Sequence, residues 1–286
     1  IAWATDRKNV IASSGMSDGT VQVWDALIDH RIQIYHGDGR ALALSWQVHT
    51  PWIVSGGTDT EIYTWNADTG RRGTSYSGHK GDVRTVAWLP PRQQTMNEIS
   101  PATTPTATPA PSATPATPDS VILIASGGAD GTVQIWNAAT GEHIYTYTGH
   151  TAGVNGLALF YNGSSQATPT NLARIVSVSD DGTAQVWKPA NQYPIVVYRG
   201  HRGKVNAVAA LSSQIPYYGP RAASAGEDQT VQIWSIYQRK LLNTYSEHQA
   251  PVRAIASSPA QNDNRLVSGD ADGLIHLWAV SGYSYQ

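Results

Sequence analysis

The chain has 286 residues, a formal net charge of -2 and a pI near 6.5, and only 14% of it is charged. That balance argues against partners held by bulk electrostatics, such as a nucleic-acid backbone or an acidic membrane surface. There is no cysteine, which removes disulfides, thiolate chemistry and Cys-ligated zinc, and no apolar run approaches the roughly 20 residues that span a bilayer.

Ten Trp and fourteen Tyr stand beside a single Phe, a composition suited to pleated, half-buried strands. The chain opens on Ile1-Ala2-Trp3, which matches the end of a strand at Val86-Ala87-Trp88. A short apolar run follows from Val10 to Ser14, then a turn from Gly15 to Gly19. Alternating runs follow at Thr20 to Trp24 and Arg31 to Tyr35. Short strands parted by Gly and Asp turns predict one four-stranded antiparallel unit. A second copy reads Ala41 to Trp46, Trp52 to Ser55, Glu61 to Trp65 and Arg71 to Tyr76. Its turn reads Asp59-Thr60 rather than Asp-Gly, so distortion or strain is expected there.

The third unit begins at Gly78-His79 and Val83 to Trp88, and its second strand is expected only from about Val121. Between them lies a Pro/Thr/Ala-rich insertion at about 90–120, with no core to bury and a composition that favours a disordered or polyproline-like loop. Units four to six enter through Gly149-His150, Gly200-His201 and Glu247-His248. Extra length always falls between a unit's first and second strands. The chain ends on Tyr283-Ser284-Tyr285, enough for one last short strand.

One segment recurs six times: Ser14 to Trp24, Ser55 to Trp65, Ser126 to Trp136, Ser177 to Trp187, Ser224 to Trp234 and Ser268 to Trp278. Each copy places an Asp six residues before its Trp and a Ser four residues before that Asp. Ser, His and Asp in one unit suggest a hydrolase, but a catalytic triad is made once and this set is made repeatedly. A structural hydrogen-bond network is the expected reading, since a buried turn Asp needs donors. Trp suits that role by burying a large area while offering one N–H.

With its Gly-His dipeptides, its six Ser…Asp…Trp segments and the full Trp24-Asp25 ending, the sequence resembles the WD40-repeat β-propellers over nearly its whole length. The resemblance implies an all-β fold and a single domain over 1–286, with six four-stranded blades visible and a seventh lying outside the chain as an open alternative. It also implies the structural sets His79/Ser126/Asp130/Trp136, His150/Ser177/Asp181/Trp187, His201/Ser224/Asp228/Trp234 and His248/Ser268/Asp272/Trp278. Unit two departs from the pattern, because His36-Gly37 is reversed and puts Gly37 where the His belongs.

By the same resemblance the chain is expected to be a non-catalytic protein–protein interaction platform and scaffold, an accessory or regulatory domain of a larger protein. A protein or peptide partner is implied, with no nucleic acid, no membrane insertion and no cofactor or metal, in a monomeric domain. The charged contact positions it implies are Arg40, Asp82, Arg84, Asp180, Lys204, Glu227 and Arg253, a rim of both signs. The alternative is an enzyme or ligand sensor at the channel mouth, but no Gly-rich phosphate loop, nucleophile elbow or His-Glu-x-x-His pattern occurs. His143 and His276 fall at unrelated phases outside the sets. The compartment is left open, with the cytoplasm favoured.

Overall fold

A computed structural model describes residues 1–4, 9–15, 18–37, 39–89, 122–160, 174–189, 193–211, 219–258 and 265–280. These residues form strands and turns in six antiparallel sheets that follow chain order. Unit one is β1 (Ala2–Trp3), β2 (Val10–Ser14), β3 (Thr20–Asp25) and β4 (His30–His36). Unit two is β5 (Ala41–Trp46), β6 (Trp52–Gly57), β7 (Glu61–Asn66) and β8 (Arg72–Ser77). Unit three is β9 (Val83–Trp88), β10 (Leu123–Gly128), β11 (Val133–Asn137) and β12 (His143–Tyr147). Unit four is β13 (Val154–Phe160), β14 (Arg174–Ser179), β15 (Ala184–Trp187) and β16 (Val196–Tyr198). Unit five is β17 (Val205–Leu211), β18 (Arg221–Gly226), β19 (Val231–Ser235) and β20 (Lys240–Tyr245). Unit six shows β21 (Val252–Ser257), β22 (Arg265–Asp270) and β23 (Ile275–Ala279). Its expected fourth strand at Tyr283 to Tyr285 lies outside the described residues, as does the 90–120 insertion.

Alternate residues of each sheet face opposite neighbours. On unit three, Ala125, Val133 and Ile135 pack forward against Val154, Ile175 and Trp187 of unit four. Ile124 and Trp136 pack backward against Val54, Ile62 and Tyr76 of unit two. Both faces of a middle sheet are therefore dry, which explains why its strands are apolar at nearly every position. A fully buried Trp such as Trp136, Trp187 or Trp234 contributes about 4 kcal/mol through its area alone.

The two end sheets differ. Val267, Ile275 and Leu277 take on unit six the places of Ala125, Val133 and Ile135, yet they are 36%, 72% and 66% exposed. Trp3 is 61% exposed where its counterpart Trp88 is 9%. The forward face of unit six and the backward face of unit one are thus uncovered.

The turn between second and third strands has one geometry throughout. The residue after the turn Asp has a left-handed φ in every unit: Gly19 at 67°, Gly131 at 79°, Gly182 at 78° and Gly273 at 85°. Thr60 adopts the same φ, 66°, as does Gln229 at 64°. The turn of unit two is therefore not distorted; it keeps the shape that suits glycine and stores the strain in Thr60.

Candidate functional site

The recurrent set is clearest in unit four. The Gly149-His150 corner delivers an imidazole into the sheet, where Nδ1 meets Asp181 Oδ2 at 2.8 Å and Nε2 meets Ser177 Oγ at 2.8 Å. The Trp187 indole N–H donates to the same Ser177 Oγ at 3.1 Å. One proton arrangement serves every group: the indole donates to Ser177, Ser177 donates to Nε2, and Nδ1–H donates to the Asp181 carboxylate. Thr151 N–H and the Thr183 N–H and hydroxyl complete that carboxylate.

Units three and five repeat this. His79 joins Asp130 at 3.0 Å and Ser126 at 2.9 Å, and His201 joins Asp228 at 3.0 Å and Ser224 at 2.8 Å. Trp234 donates to Ser224 at 3.2 Å, whereas the buried Trp136 N–H of unit three has no acceptor. Three further members were not singled out from the sequence. Tyr76, Tyr147 and Tyr198 each come from the preceding unit, stack on the next unit's Trp and donate their hydroxyl to Gln134, Gln185 and Gln232. Those amides donate in turn to the backbone oxygens of Gly78, Gly149 and Gly200. The repeated spacing Tyr-x-Gly-His and the repeated Asp-x-Thr-x-Gln were present in the sequence as the signal for this layer.

Three expectations need correction. In unit six the carboxylate is Asp270, not Asp272: His248 Nδ1 meets Asp270 Oδ2 at 2.8 Å, while Asp272 is exposed and offers its backbone N–H to Asp270. Asp270 stands where unit three has Gly128, and a Cβ there lies 2.5 Å from the imidazole, so a carboxylate at that position reaches the His directly. Ser268 and Trp278 keep their places, with Oγ 2.7 Å from His248 Nε2 and from the Trp278 N–H. His276, expected outside the set, fills the Gln position, its ring 4.5 Å from that of His248 and stacked on Trp278 at 5.0 Å. In unit one the serine is Ser13, which accepts the Trp24 N–H at 3.0 Å; Ser14 pairs one residue further on, because that turn is one residue longer. In unit two, Trp65 donates to Ser55 at 2.8 Å, but with Gly37 in the histidine place the Asp59 carboxylate takes the Tyr63 hydroxyl at 2.9 Å instead.

The electrostatics follow from these donors. Burial works against ionisation of Asp228, but the His201 and Arg202 hydrogen bonds outweigh it and hold the carboxyl at about 2. Asp130 and Asp181 are lowered by the same balance. Burial pushes His150 down, keeping it neutral, and pushes the Tyr198 hydroxyl up to about 12. The Ser-His-Asp order is that of a hydrolytic triad, but Ser126, Ser177 and Ser224 are 0% exposed and Ser268 is 1%. A nucleophile sealed between strands meets no substrate. No group of three or more metal-ligating side chains occurs among the described residues.

The charged rim is organised by the same corners. Arg84 of unit three crosses to unit four, donating from Nη1 to Asp180 Oδ2 at 2.9 Å and to Asn155 Oδ1 at 2.8 Å. It passes over Gly153, where any Cβ would lie 2.7 Å from Nη1. Asn155 donates to Asp180 and to the Val205 carbonyl of unit five, and Lys204 sits 3.6 Å from Asp180. These neighbours lower the Asp180 carboxyl against the resistance of burial. Arg253 of unit six pairs with Glu227 of unit five at 2.6 Å. Arg40 is exposed, and its backbone N–H donates to the Thr58 hydroxyl oxygen. Asp82 is half-buried and accepts the Ala129 N–H through its carbonyl. Of the predicted contact residues, five are thus drawn into ties between neighbouring units.

The profile of the WD domain, G-beta repeat family matches residues 1–25, 115–137, 141–188, 192–235 and 239–279. It passes over unit two, the unit in which Gly37 and Tyr63 replace the usual parts. Nuclear distribution protein nudF of Emericella nidulans is 30% identical over 65% of this chain and 38% of its own length. Ribosome biogenesis protein YTM1 of Yarrowia lipolytica is 27% identical over 72% of this chain and 40% of its own. The guanine nucleotide-binding protein subunit beta of Oryza sativa subsp. japonica is 26% identical over 72% and 48%. The matches thus span less than half the length of each of these relatives. With the profile matched across more than half of the chain, and sheets, corners and turns of one design in succession, the chain belongs to the WD40-repeat family of β-propeller proteins.

Proposed function

We propose that this chain is a non-catalytic platform that holds a protein or peptide partner on the face carrying the His and Asp turns. The observation that carries this reading is the contrast between the sealed, repeated sets and the rim above them, which differs from unit to unit. On that rim the carboxylates lie lower than the cations: the Asp180 side chain is 19% exposed against 56% for Lys204, and Glu227 is 30% against 52% for Arg253. With Arg40 also exposed, the cations among the expected contact positions stand further out than the carboxylates they pair with. An acidic segment is the complement, recognised through orientation and on-rate more than through buried area. The roles in the relatives' names, a guanine nucleotide-binding protein subunit and a nuclear distribution protein, belong to those proteins. The test is the doubly reversed Lys204→Glu, Arg253→Glu protein, which leaves the Arg84–Asp180 tie in place. Capture of an acidic partner from a defined panel should fall roughly tenfold with the fold retained and the melting temperature lowered by no more than the loss of two exposed ion pairs. Undiminished capture sinks the rim as the contact surface.

A further inference from the structure

A second candidate surface lies away from the rim, on the side of the sheets that carries the connections of variable length. Between units two and three a cleft of about 270 Å³ is lined by Trp52, Thr64, Gly73 and Thr74 from one side. Trp88, Ile122, Ala138 and Ala139 line the other, with Gln47 at the same opening. Its origin is legible in the repeat. Gly73 stands where the other fourth strands have Ile32, Ile144, Ile195 and Leu242. Thr64 stands where the other third strands have Val23, Ile135, Val186 and Ile233. Trp52 replaces Leu123 and lies over the bare glycine, its ring 2.7 Å from where a Cβ would sit. One missing side chain opens the slot and one added indole walls it.

The lining selects a ligand chemistry. Among the described residues no charged side chain borders the cleft, which favours a neutral occupant. The Thr64 hydroxyl is spent on the Thr74 carbonyl, and the Thr74 hydroxyl on the Ala139 carbonyl. The Trp88 N–H is spent on the Ser45 carbonyl. Gln47 Oε1 already accepts the Thr50 hydroxyl at 2.9 Å, so its amide N–H groups remain to donate. What is left is aromatic surface plus a donor. A chain of prolines offers apolar rings and carbonyl acceptors and no N–H to satisfy.

We propose that the cleft between units two and three is a docking site for an uncharged, proline-bearing extended segment of a partner protein. Aromatic walls holding a polyproline II segment are a recurrent mode of recognition. The site is independent of the rim, and the rim variant serves as its control.

The probe is a blocked decaproline peptide titrated into the full chain, followed by tryptophan fluorescence and calorimetry, beside a Gly-Ala-Gln peptide of equal length. Decaproline should bind and the control should not. The double variant Trp52→Leu, Gly73→Ile recreates the Leu123 and Ile144 pair of unit three and should weaken binding roughly tenfold or more with the fold retained, the Thr64 hydroxyl, 2.6 Å from the added Cβ, turning aside. Lys204→Glu with Arg253→Glu should leave the affinity as it was. Equal binding to the double variant, or none to the unaltered chain, overturns the proposal. Binding that emerges only once residues 101–118 are removed also overturns it, by giving the cleft to the chain's own Pro/Thr/Ala tract. Should the double variant unfold, Trp52→Phe with the peptide read by calorimetry alone keeps the question open to the same outcomes.

Discussion

In unit four the Asp181 carboxylate is closed off by His150, the Thr151 N–H and Thr183. In unit two the corresponding Asp59 receives the Tyr63 hydroxyl and the Glu61 N–H, and Gly37 leaves the imidazole place empty. Both units keep the Trp-to-Ser bond, at 3.1 and 2.8 Å. What the turn requires is therefore a set of donors around a carboxylate, and a histidine is one way to supply them. The difference is in cross-linking. His150 ties the connection from unit three to a strand and a turn of unit four, whereas the Tyr63–Asp59 bond joins two residues of one hairpin. Loss of the carboxylate should therefore hurt unit four more.

That difference predicts the largest effect. Asp181→Ala leaves an imidazole N–H, two backbone N–H groups and a hydroxyl without an acceptor, most of them buried, and should cost about 3 kcal/mol. Asp59→Ala removes the carboxylate that accepts one tyrosine hydroxyl and one N–H at a half-buried turn and should cost about 1 kcal/mol. Urea unfolding of the two variants decides the matter; equal losses would remove the distinction between a cross-linking and a local set. In unit six the same experiment separates two neighbours. Asp270→Ala should lower the melting temperature clearly, and Asp272→Ala should not.

Acid sharpens the comparison next. His150 is held below its ordinary value by burial, so the unfolded chain takes up its proton first, and stability starts to fall once the pH drops below about 6.5. Asp228 is held at about 2, below its unfolded value, so its contribution is complete above about pH 5 and is lost between there and about pH 2. Urea midpoints measured across this range should decline gently at first and then steeply. His150→Gln should flatten the upper part and leave the lower part. An unchanged slope above pH 5 in the His150 variant would assign that slope elsewhere.

How much of this was legible depended on whether a signal was repeated. Strand order, the turn Asp and the Trp-to-Ser bond recur at fixed offsets, and the sheets fall where alternation and turn residues place them. Counting from the Trp misled at the two ends. Asp272 has the right spacing from Trp278, yet Asp270, two residues earlier on the strand, is nearer the imidazole in space. Ser14 has the right spacing from Trp24, yet the longer turn shifts the pairing to Ser13. Pair register, set by the ladder and not by distance along the chain, decides which side chain points inward. The tyrosine and glutamine layer was repeated just as regularly. Its members come from different sheets, however, and sequence spacing does not display a contact across a unit boundary. The ties of Arg84, Lys204 and Arg253 are hidden for the same reason: each stands among the expected contact positions, and each first meets a neighbouring unit.

The smallest effect tests the turns themselves. Thr60 holds a φ of 66° where units one, three, four and six have glycine, and a β-branched residue in that region is strained by roughly 1–2 kcal/mol. Thr60→Gly relieves this strain but adds about 0.5–1 kcal/mol of backbone entropy to the unfolded chain. The net should be a stabilisation of about 0.5–1 kcal/mol, visible as a raised urea midpoint with an unchanged slope. Gln229 sits at 64° without a β-branch, so Gln229→Gly should gain less, near the limit of detection. If both changes destabilised the protein, the side chains of Thr60 and Gln229 would be making contacts worth more than their strain, and the two turns would not be weak points of an otherwise uniform design.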